Sequence, residues 1–170
     1  MGISELGPKD GTVEVKTYRE GIAQKVGHDL VIEVREWSAT VDFDDGGSLT
    51  AVTLDVDSSS LYVREGHNGL KPLSDKDRGE IKKNIDAKIL HGRPITFRST
   101  AVTGSTVAGD LTVNGSTRPA SFTLDLTAGR ACGTLPIVQT EFGVTPYKGL
   151  MGALKVRDEV EVVLDVALPG

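Results

Sequence analysis

The sequence predicts one all-β domain with a single helix, folded as an antiparallel closed barrel of about eight strands. Three observations support this prediction. Apolar residues recur at every second position over most of the chain, which is the spacing of strands with one buried face. Turn-forming residues separate these segments. Glycine is also frequent, at 20 of 170 residues, which favours many tight turns over long helices.

A long hairpin is predicted in the first third of the chain. Residues 22–34 alternate between apolar and polar side chains, and the parity of the apolar positions changes near residues 35–36. Such a change predicts a turn or a β-bulge at that point. Residues 44–47 read Asp-Asp-Gly-Gly, which is a hairpin turn signal, and residues 49–61 form the next strand.

One helix is predicted at about residues 74–91, near the middle of the chain. Ser74 and Asp77 have the spacing of a capping box, so they mark its first turn. It is expected to end before Gly92, because glycine favours the backbone conformation that follows a helix. Three isoleucines at four-residue spacing mark its buried face: Ile81, Ile85 and Ile89.

The second half of the chain returns to strands. Asn114 and Gly115 form a strong two-residue hairpin turn. Residues 140–153 are broken by Gly and Pro, which predicts part loop and part helical turn. No linker or internal repeat interrupts the pattern, so residues 1–170 are predicted to form a single domain. The strands predicted here are residues 95–99, 107–113, 120–126, 131–139 and 160–168.

Composition bears on location and partners. The chain has 19 basic and 24 acidic side chains and a net charge of -5. It therefore lacks the overall excess of basic residues that is typical of a nucleic-acid-binding protein. No apolar run reaches the roughly 18 residues of a spanning helix, so we expect no stable membrane insertion. Residues 1–11 lack the features of a secretory signal, so a cytoplasmic location is expected unless a leader has been removed. The lone Cys132 is predicted to be a small core or edge residue rather than a nucleophile.

The motifs indicate no catalytic set, no metal site and no cofactor. His28, His67 and His91 follow no metal-ligand spacing, and the chain has neither a nucleophile elbow nor a phosphate-binding loop. His28 shares the parity of the apolar positions around it, so it is predicted to point inward. In a filled barrel it is a hydrogen-bonded core residue, and in a hollow barrel it anchors a ligand.

The candidate ligand-binding residues are inward apolar side chains, His28 and most of the scarce aromatic residues. The chain has only one Trp, three Tyr and four Phe. Each aromatic residue alone is best interpreted as core packing, but together they also suit an elongated apolar ligand. The candidate set is Val26, His28, Leu30, Trp37, Phe43, Leu54, Phe97, Leu111, Phe122, Leu124, Phe142 and Tyr147.

Most of the chain resembles the YceI-like, polyisoprenoid-binding family. The resemblance runs through residues 73–100, 109–126 and 139–168, and VGHDLVIEV near the start resembles the family's first long hairpin. Its most specific parts are the GxLTxxGxTRP pattern, here GDLTVNGSTRP, and the FGxxP pattern, here FGVTP.

The resemblance implies a lipocalin-like barrel with a helix across or beside one end. It also implies non-covalent binding of a long isoprenoid or similar amphiphilic lipid in the lumen, a homodimer, and no catalysis. Burial of each CH2 group contributes about 0.8 kcal/mol, so a long prenyl chain can bind with few polar contacts. A polar head would need donors at the lumen mouth, for which the candidates are Lys71, Arg78, Arg93, Arg98, Lys148 and Lys155.

Two other functions compete with lipid binding. The first is an enzyme acting on a small apolar substrate inside the barrel, with His28 as acid or base. The second is a filled barrel that serves as an assembly module, which would need a large apolar outer patch.

Overall fold

The computed structural model describes residues 2–20, 29–67, 74–149 and 154–168. These ranges contain fourteen strands and one α-helix. The helix, α1, is Asp75–Asn84. The strands are β1 (Gly2–Leu6), β2 (Gly11–Thr17), β3 (Arg19–Glu20), β4 (Asp29–Val34), β5 (Trp37–Phe43), β6 (Leu49–Val56), β7 (Leu61–His67), β8 (Ile95–Thr103), β9 (Thr106–Val113), β10 (Ser116–Thr127), β11 (Arg130–Val138), β12 (Lys148–Gly149), β13 (Leu154–Val156) and β14 (Glu159–Ala167).

Almost all strands belong to one antiparallel sheet. Its 11 strands follow the order β1-β5-β6-β8-β9-β10-β11-β14-β2-β4-β7. A second sheet has three short strands in the order β12-β13-β3. Four neighbouring pairs are consecutive hairpin strands: β5-β6, β8-β9, β9-β10 and β10-β11. The strands β2 and β14 come from opposite ends of the described chain and pair with each other inside the sheet.

The all-β class with one helix is confirmed, whereas a closed barrel of eight strands is not. The sheet curls into a half-barrel, and among the described residues no ladder joins β7 to β1. Its two ends are connected by the chain itself, because β4 continues into β5 and β6 continues into β7 around a bend. Across that bend Arg35 N donates to Ser60 O at 3.2 Å, and Asp57 N donates to Glu36 O at 3.0 Å. The parity change predicted at residues 35–36 is this bend.

The helix begins as predicted, with both hydrogen bonds of the capping box between Ser74 and Asp77. It ends differently, because the α-helix stops at Asn84 and one turn of π-helix spans Ile85–Ile89. The turn closes where Leu90 N donates to Ile85 O at 2.8 Å. His91 and Gly92 follow with φ of 54° and 72°, which places the helix stop where the sequence predicts it.

Several other predicted elements are confirmed. Asn114 and Gly115 have φ of 52° and 78° in the β9–β10 turn, as a two-residue hairpin requires. A 3₁₀ turn over Gln139–Phe142 opens the segment predicted as part loop and part helical turn. Of the strand predicted at residues 22–34, only β4 falls among the described residues.

No strand is predicted before residue 22, yet β1 and β2 both lie there. In β2 the apolar residues Val13 and Val15 alternate with Glu14 and Lys16, a period-two pattern that predicts this strand once it is considered. The core lies on the concave side of the sheet. At its β8–β10 side, the rings of Phe97 and Phe122 pack edge to face, with centroids 5.4 Å apart.

Candidate ligand-binding cavity

A cavity of about 370 Å³ lies between α1 and the concave face of the sheet. Strands β2, β4 and β14 supply most of its sheet wall, and β7, β8, β9 and β11 each add one residue. The described residues that line it are mainly aliphatic: Val15, Leu30, Ile32, Leu61, Ile81, Ile85, Ile89, Leu90, Ile95, Val113, Ile137, Val144, Val156, Val160 and Val162. The other lining residues are Thr17, Arg19, Asp77, Glu80, Asn84, Gln139 and Tyr147.

Strand periodicity places the side chains of the sheet wall. Val160 and Val162 alternate with Glu161 along β14, so both face the concave side. The neighbouring strand β2 pairs Val15 with Val162. Thr17, two residues further along β2, faces the same side and pairs with Leu30 on β4. The wall is therefore a continuous patch of small branched side chains across three adjacent strands.

The helix wall carries the isoleucines that the sequence singled out. Ile81 lies on α1, and Ile85 and Ile89 lie on the π-turn that follows it. The five-residue spacing of this turn brings Leu90 onto the cavity side as well. Helical turns of this kind are rare and are often found at functional sites.

Part of the lining is incompletely packed. Five aliphatic residues of the wall are only half-buried although they pack against the core: Val15, Leu30, Ile81, Ile89 and Val156. Apolar surface left unpacked in a cavity lacks the contacts that a filled core would give it. A ligand with an apolar body would supply those contacts.

Polar groups on the lining are few, and most already have partners. Gln139 is buried and its Nε2 donates to Arg157 O at 3.1 Å. Arg19 pairs with Asp29, since its Nε lies 3.8 Å from Asp29 Oδ1 and its backbone N donates to the same oxygen at 2.8 Å. Thr17 differs, because its Oγ1 is shielded from solvent and has no hydrogen-bond partner in the part of the chain that the structure describes.

The exposed lining residues Asp77, Glu80 and Tyr147 form what we call the mouth of the cavity. Asp77 and Glu80 lie on the first turns of α1. Tyr147 is 41% exposed and precedes β12. The mouth therefore carries two carboxylates and one phenol around an aliphatic interior.

Comparison with known families identifies the fold and its family. The sequence profile of the YceI-like domain matches residues 8–168. The chain belongs to the YceI-like domain family. The resemblance drawn from GDLTVNGSTRP and FGVTP is therefore confirmed.

Solved structures share the fold of this YceI-like chain. Burkholderia cenocepacia BcnA superposes with a TM-score of 0.60 at 19% identity, covering 92% of this chain and 96% of BcnA. A Campylobacter jejuni YCEI protein that crystallises with large solvent channels superposes with a TM-score of 0.55 at 12% identity, covering 79% of this chain and 81% of that one. No curated protein sequence matches this chain significantly.

Two of the predicted ligand-binding residues of the YceI-like chain, Leu30 and Tyr147, line the cavity. Val26 and His28 lie outside the described residues. The others face the core elsewhere and are not among the lining residues: Trp37, Phe43, Leu54, Phe97, Leu111, Phe122, Leu124 and Phe142. Whether any of the twelve contacts a ligand stays a prediction. The observed lining replaces the expected aromatic side chains with Val, Ile and Leu.

The predicted basic contacts for a polar head are engaged elsewhere. Arg78 Nε donates to Val63 O, and Arg93 Nη1 donates to Asn114 O. Arg98 forms an ion pair of 2.7 Å with Asp55. None of these three lines the cavity. Lys71 and the side chains of Lys148 and Lys155 lie outside the described part of the structure.

In the described ranges, no three His, Cys, Asp or Glu side chains are grouped so that they could hold a metal ion. No helix in these ranges is both long and apolar enough to cross a membrane. Of the three histidines, His28 and the side chain of His67 fall outside the described residues, and His91 follows the π-turn.

Proposed function

We propose that this protein binds a lipid with a prenyl or similar branched apolar tail in the cavity under α1, without altering it chemically. The observation that carries the proposal is the cavity itself, whose described lining is mainly aliphatic. Membership of the YceI-like family supports a lipid-binding role for the same chain.

The size of the cavity suggests the length of tail that it holds. A dry apolar cavity of about 150 Å³ accommodates benzene, which has six carbons. By the same packing, the 370 Å³ found here holds a tail of about fifteen carbons. We therefore propose a tail of three isoprene units fully inside, so that further units of a longer chain would project through the mouth.

Chain length gives the sharpest test. We expect affinity to rise steeply from geraniol to farnesol, because each CH2 removed from water contributes about 0.8 kcal/mol. The further gain in affinity from farnesol to geranylgeraniol should be small, because farnesol already fills the cavity. Native mass spectrometry of protein purified without detergent and then titrated with each alcohol measures the series. Absence of binding by all three alcohols would overturn the proposal.

A cavity-filling substitution tests the location. Ile81→Trp puts a large ring into the cavity from α1 and should reduce farnesol affinity by at least tenfold, since the tail loses its space. The matched control is Lys83→Trp, which adds the same ring to the same helix at an exposed position that does not line the cavity. Equal affinity in the two variants would place the lipid elsewhere.

The alternative is an enzyme acting on a small apolar substrate, with His28 as acid or base. It stays a prediction, and a folded His28→Ala protein that retains full activity on such a substrate would exclude it. A cytoplasmic location and a homodimer are also proposals here. Cell fractionation tests the first and light scattering of the purified protein tests the second.

A further inference from the structure

The charges around the cavity bear on the head group of its ligand. We propose that the bound lipid carries an uncharged hydrogen-bonding head, such as a hydroxyl group, and that the cavity discriminates against a phosphate or diphosphate head. This inference rests on the proposed lipid-binding function and specifies its substrate class. It is argued from the described residues of the mouth and of the adjoining sheet wall.

The described residues of the mouth carry negative charge. Asp77 and Glu80 both line the cavity and are both exposed, so a head group emerging there meets two carboxylates. The cation of the described lining is Arg19, which already pairs with Asp29. A diphosphate head would bring further negative charge to this rim, and like charges at close range disfavour binding.

The N-terminus of α1 is the other feature that could attract an anion. One of its N–H groups is already engaged, because Asp77 N donates to the Ser74 side chain at 3.1 Å. Ser74 N in turn donates to the Asp77 carboxylate at 3.1 Å, so an acidic side chain already lies at the positive end of the helix. A phosphate bound at Asp77 N would have to displace this capping box, and one bound elsewhere on the first turn would lie close to the Asp77 carboxylate.

The hydroxyl of Thr17 is shielded from solvent and has no hydrogen-bond partner among the described residues. A buried hydroxyl without a hydrogen bond destabilises a protein by about 1–3 kcal/mol, so it gains from any partner that a ligand brings. Thr17 lines the cavity on the sheet wall, two residues before the lining residue Arg19. Threonine has more than one accessible χ1 rotamer, so its Oγ1 can reorient to meet a ligand atom. A hydroxyl head can both donate to Thr17 and accept from it.

The experiment compares ligands with the same tail and different heads. Farnesol, farnesyl diphosphate and the hydrocarbon farnesene are titrated into the delipidated full chain by isothermal calorimetry at low and high salt. We expect farnesol to bind at least about tenfold more tightly than the diphosphate at low salt. The difference in affinity between farnesol and farnesyl diphosphate should become smaller at high salt, because salt screens the carboxylates of the mouth.

Two substitutions test the residues. Glu80→Gln should reduce the ratio of the farnesol affinity to the farnesyl diphosphate affinity at least about threefold, because it removes one charge from the mouth. Glu5→Gln makes the same change on β1, away from the cavity, and should leave this affinity ratio unchanged. Thr17→Val should weaken the binding of farnesol about fivefold and leave the binding of farnesene unchanged. Its control is Thr12→Val, an exposed position on the same strand.

The outcomes separate the two proposals. Diphosphate binding as tight as farnesol binding would overturn the head-group inference and leave the lipid-binding function intact. Equal loss of farnesol and farnesene affinity in Thr17→Val would show a packing role for Thr17 and would also count against the inference. Failure of all three ligands to bind would overturn the proposed function together with the inference.

Discussion

Arg118 donates a hydrogen bond from its Nε to the backbone carbonyl oxygen of Glu141, at 2.9 Å. The contact joins the two motifs by which the sequence resembles its family, since Arg118 belongs to GDLTVNGSTRP and Glu141 immediately precedes FGVTP. It ties β10 to the 3₁₀ turn that carries Gln139, a residue of the cavity lining. The two motifs thus hold one side of the cavity in place.

We expect Arg118→Gln to loosen this turn. One hydrogen bond on an exposed side chain contributes about 1 kcal/mol, so the loss of global stability in urea should be of that size or smaller. The larger effect should be local, with faster hydrogen exchange at Gly143 and Val144, whose N–H groups close the turn. Arg118→Lys keeps the charge without the guanidinium geometry and should be intermediate. If hydrogen exchange at these two N–H groups is unchanged in Arg118→Gln, contacts other than the Arg118 hydrogen bond hold the turn in place.

Gly109, the first glycine of the same motif, has a steric reason to be glycine. A Cβ at this position would overlap Arg98 O and would lie 2.7 Å from Ser99 Cα. The neighbouring ladder contains a register shift between Ser99 and Ala101, where the two backbones come together. Gly109→Ala should therefore reduce the free energy of unfolding by about 2–3 kcal/mol, measured by urea denaturation.

The control for that substitution is Gly79→Ala. Gly79 lies in α1, and a Cβ there meets nothing within 4 Å. Because alanine favours a helix over glycine, this variant should gain about 1 kcal/mol. A similar loss in both variants would mean that the close backbone approach at Gly109 is not the cause.

Tyr18 provides a prediction on pH. Its hydroxyl donates to the Glu161 carboxylate, and this hydrogen bond, followed by burial, raises the pKa of Tyr18 to about 12. A pKa raised on folding stabilises the protein fully below the unfolded value of about 10, and that stability is lost as pH rises from there through 12. Absorbance titration should show tyrosinate forming late, and Tyr18→Phe should remove that phase. Persistence of the late phase in Tyr18→Phe would contradict the assignment.

Cys132 should react slowly as a thiol. Its Sγ donates to Asp165 Oδ1 at 3.3 Å, and that hydrogen bond, followed by burial, raises the pKa of Cys132. Asp165→Asn removes the acceptor charge and leaves Arg130 beside the sulfur, so the thiolate becomes more favourable. We expect Asp165→Asn to react several-fold faster with a disulfide reagent at pH 8 than the parent protein. Equal rates would mean that access to the sulfur, and not its pKa, limits the reaction.

Local patterns predicted the elements that depend on local chemistry. The capping box at Ser74, the Asn114–Gly115 turn and the parity change near residue 35 are all found in the structure. Each follows from residues close together in sequence. The open ends of the sheet could not be predicted in this way, because closure depends on whether distant strands meet.

The cavity lining shows the same limit. Alternation correctly put Phe97 on the inner face, but it could not show that this ring packs against Phe122 and lies outside the lining of the hollow. A hollow arises where the summed volumes of side chains from several strands fall short of the space between them. The isoleucine stripe of α1 was visible in the sequence, yet its role as a cavity wall depended on the small valines opposite, such as Val162.

The pairing of β2 with β14 has a consequence for synthesis of the chain. Val15 and Val162 are neighbours across this ladder and both line the cavity, yet nearly the whole chain separates them. Such distant pairings form late, because the entropy of closing a long loop opposes them. On the ribosome, the cavity cannot assemble until residues 159–167 have emerged. Until then the edge of β2 that pairs with β14 has no partner strand, and exposed strand edges of this kind are surfaces that chaperones recognise.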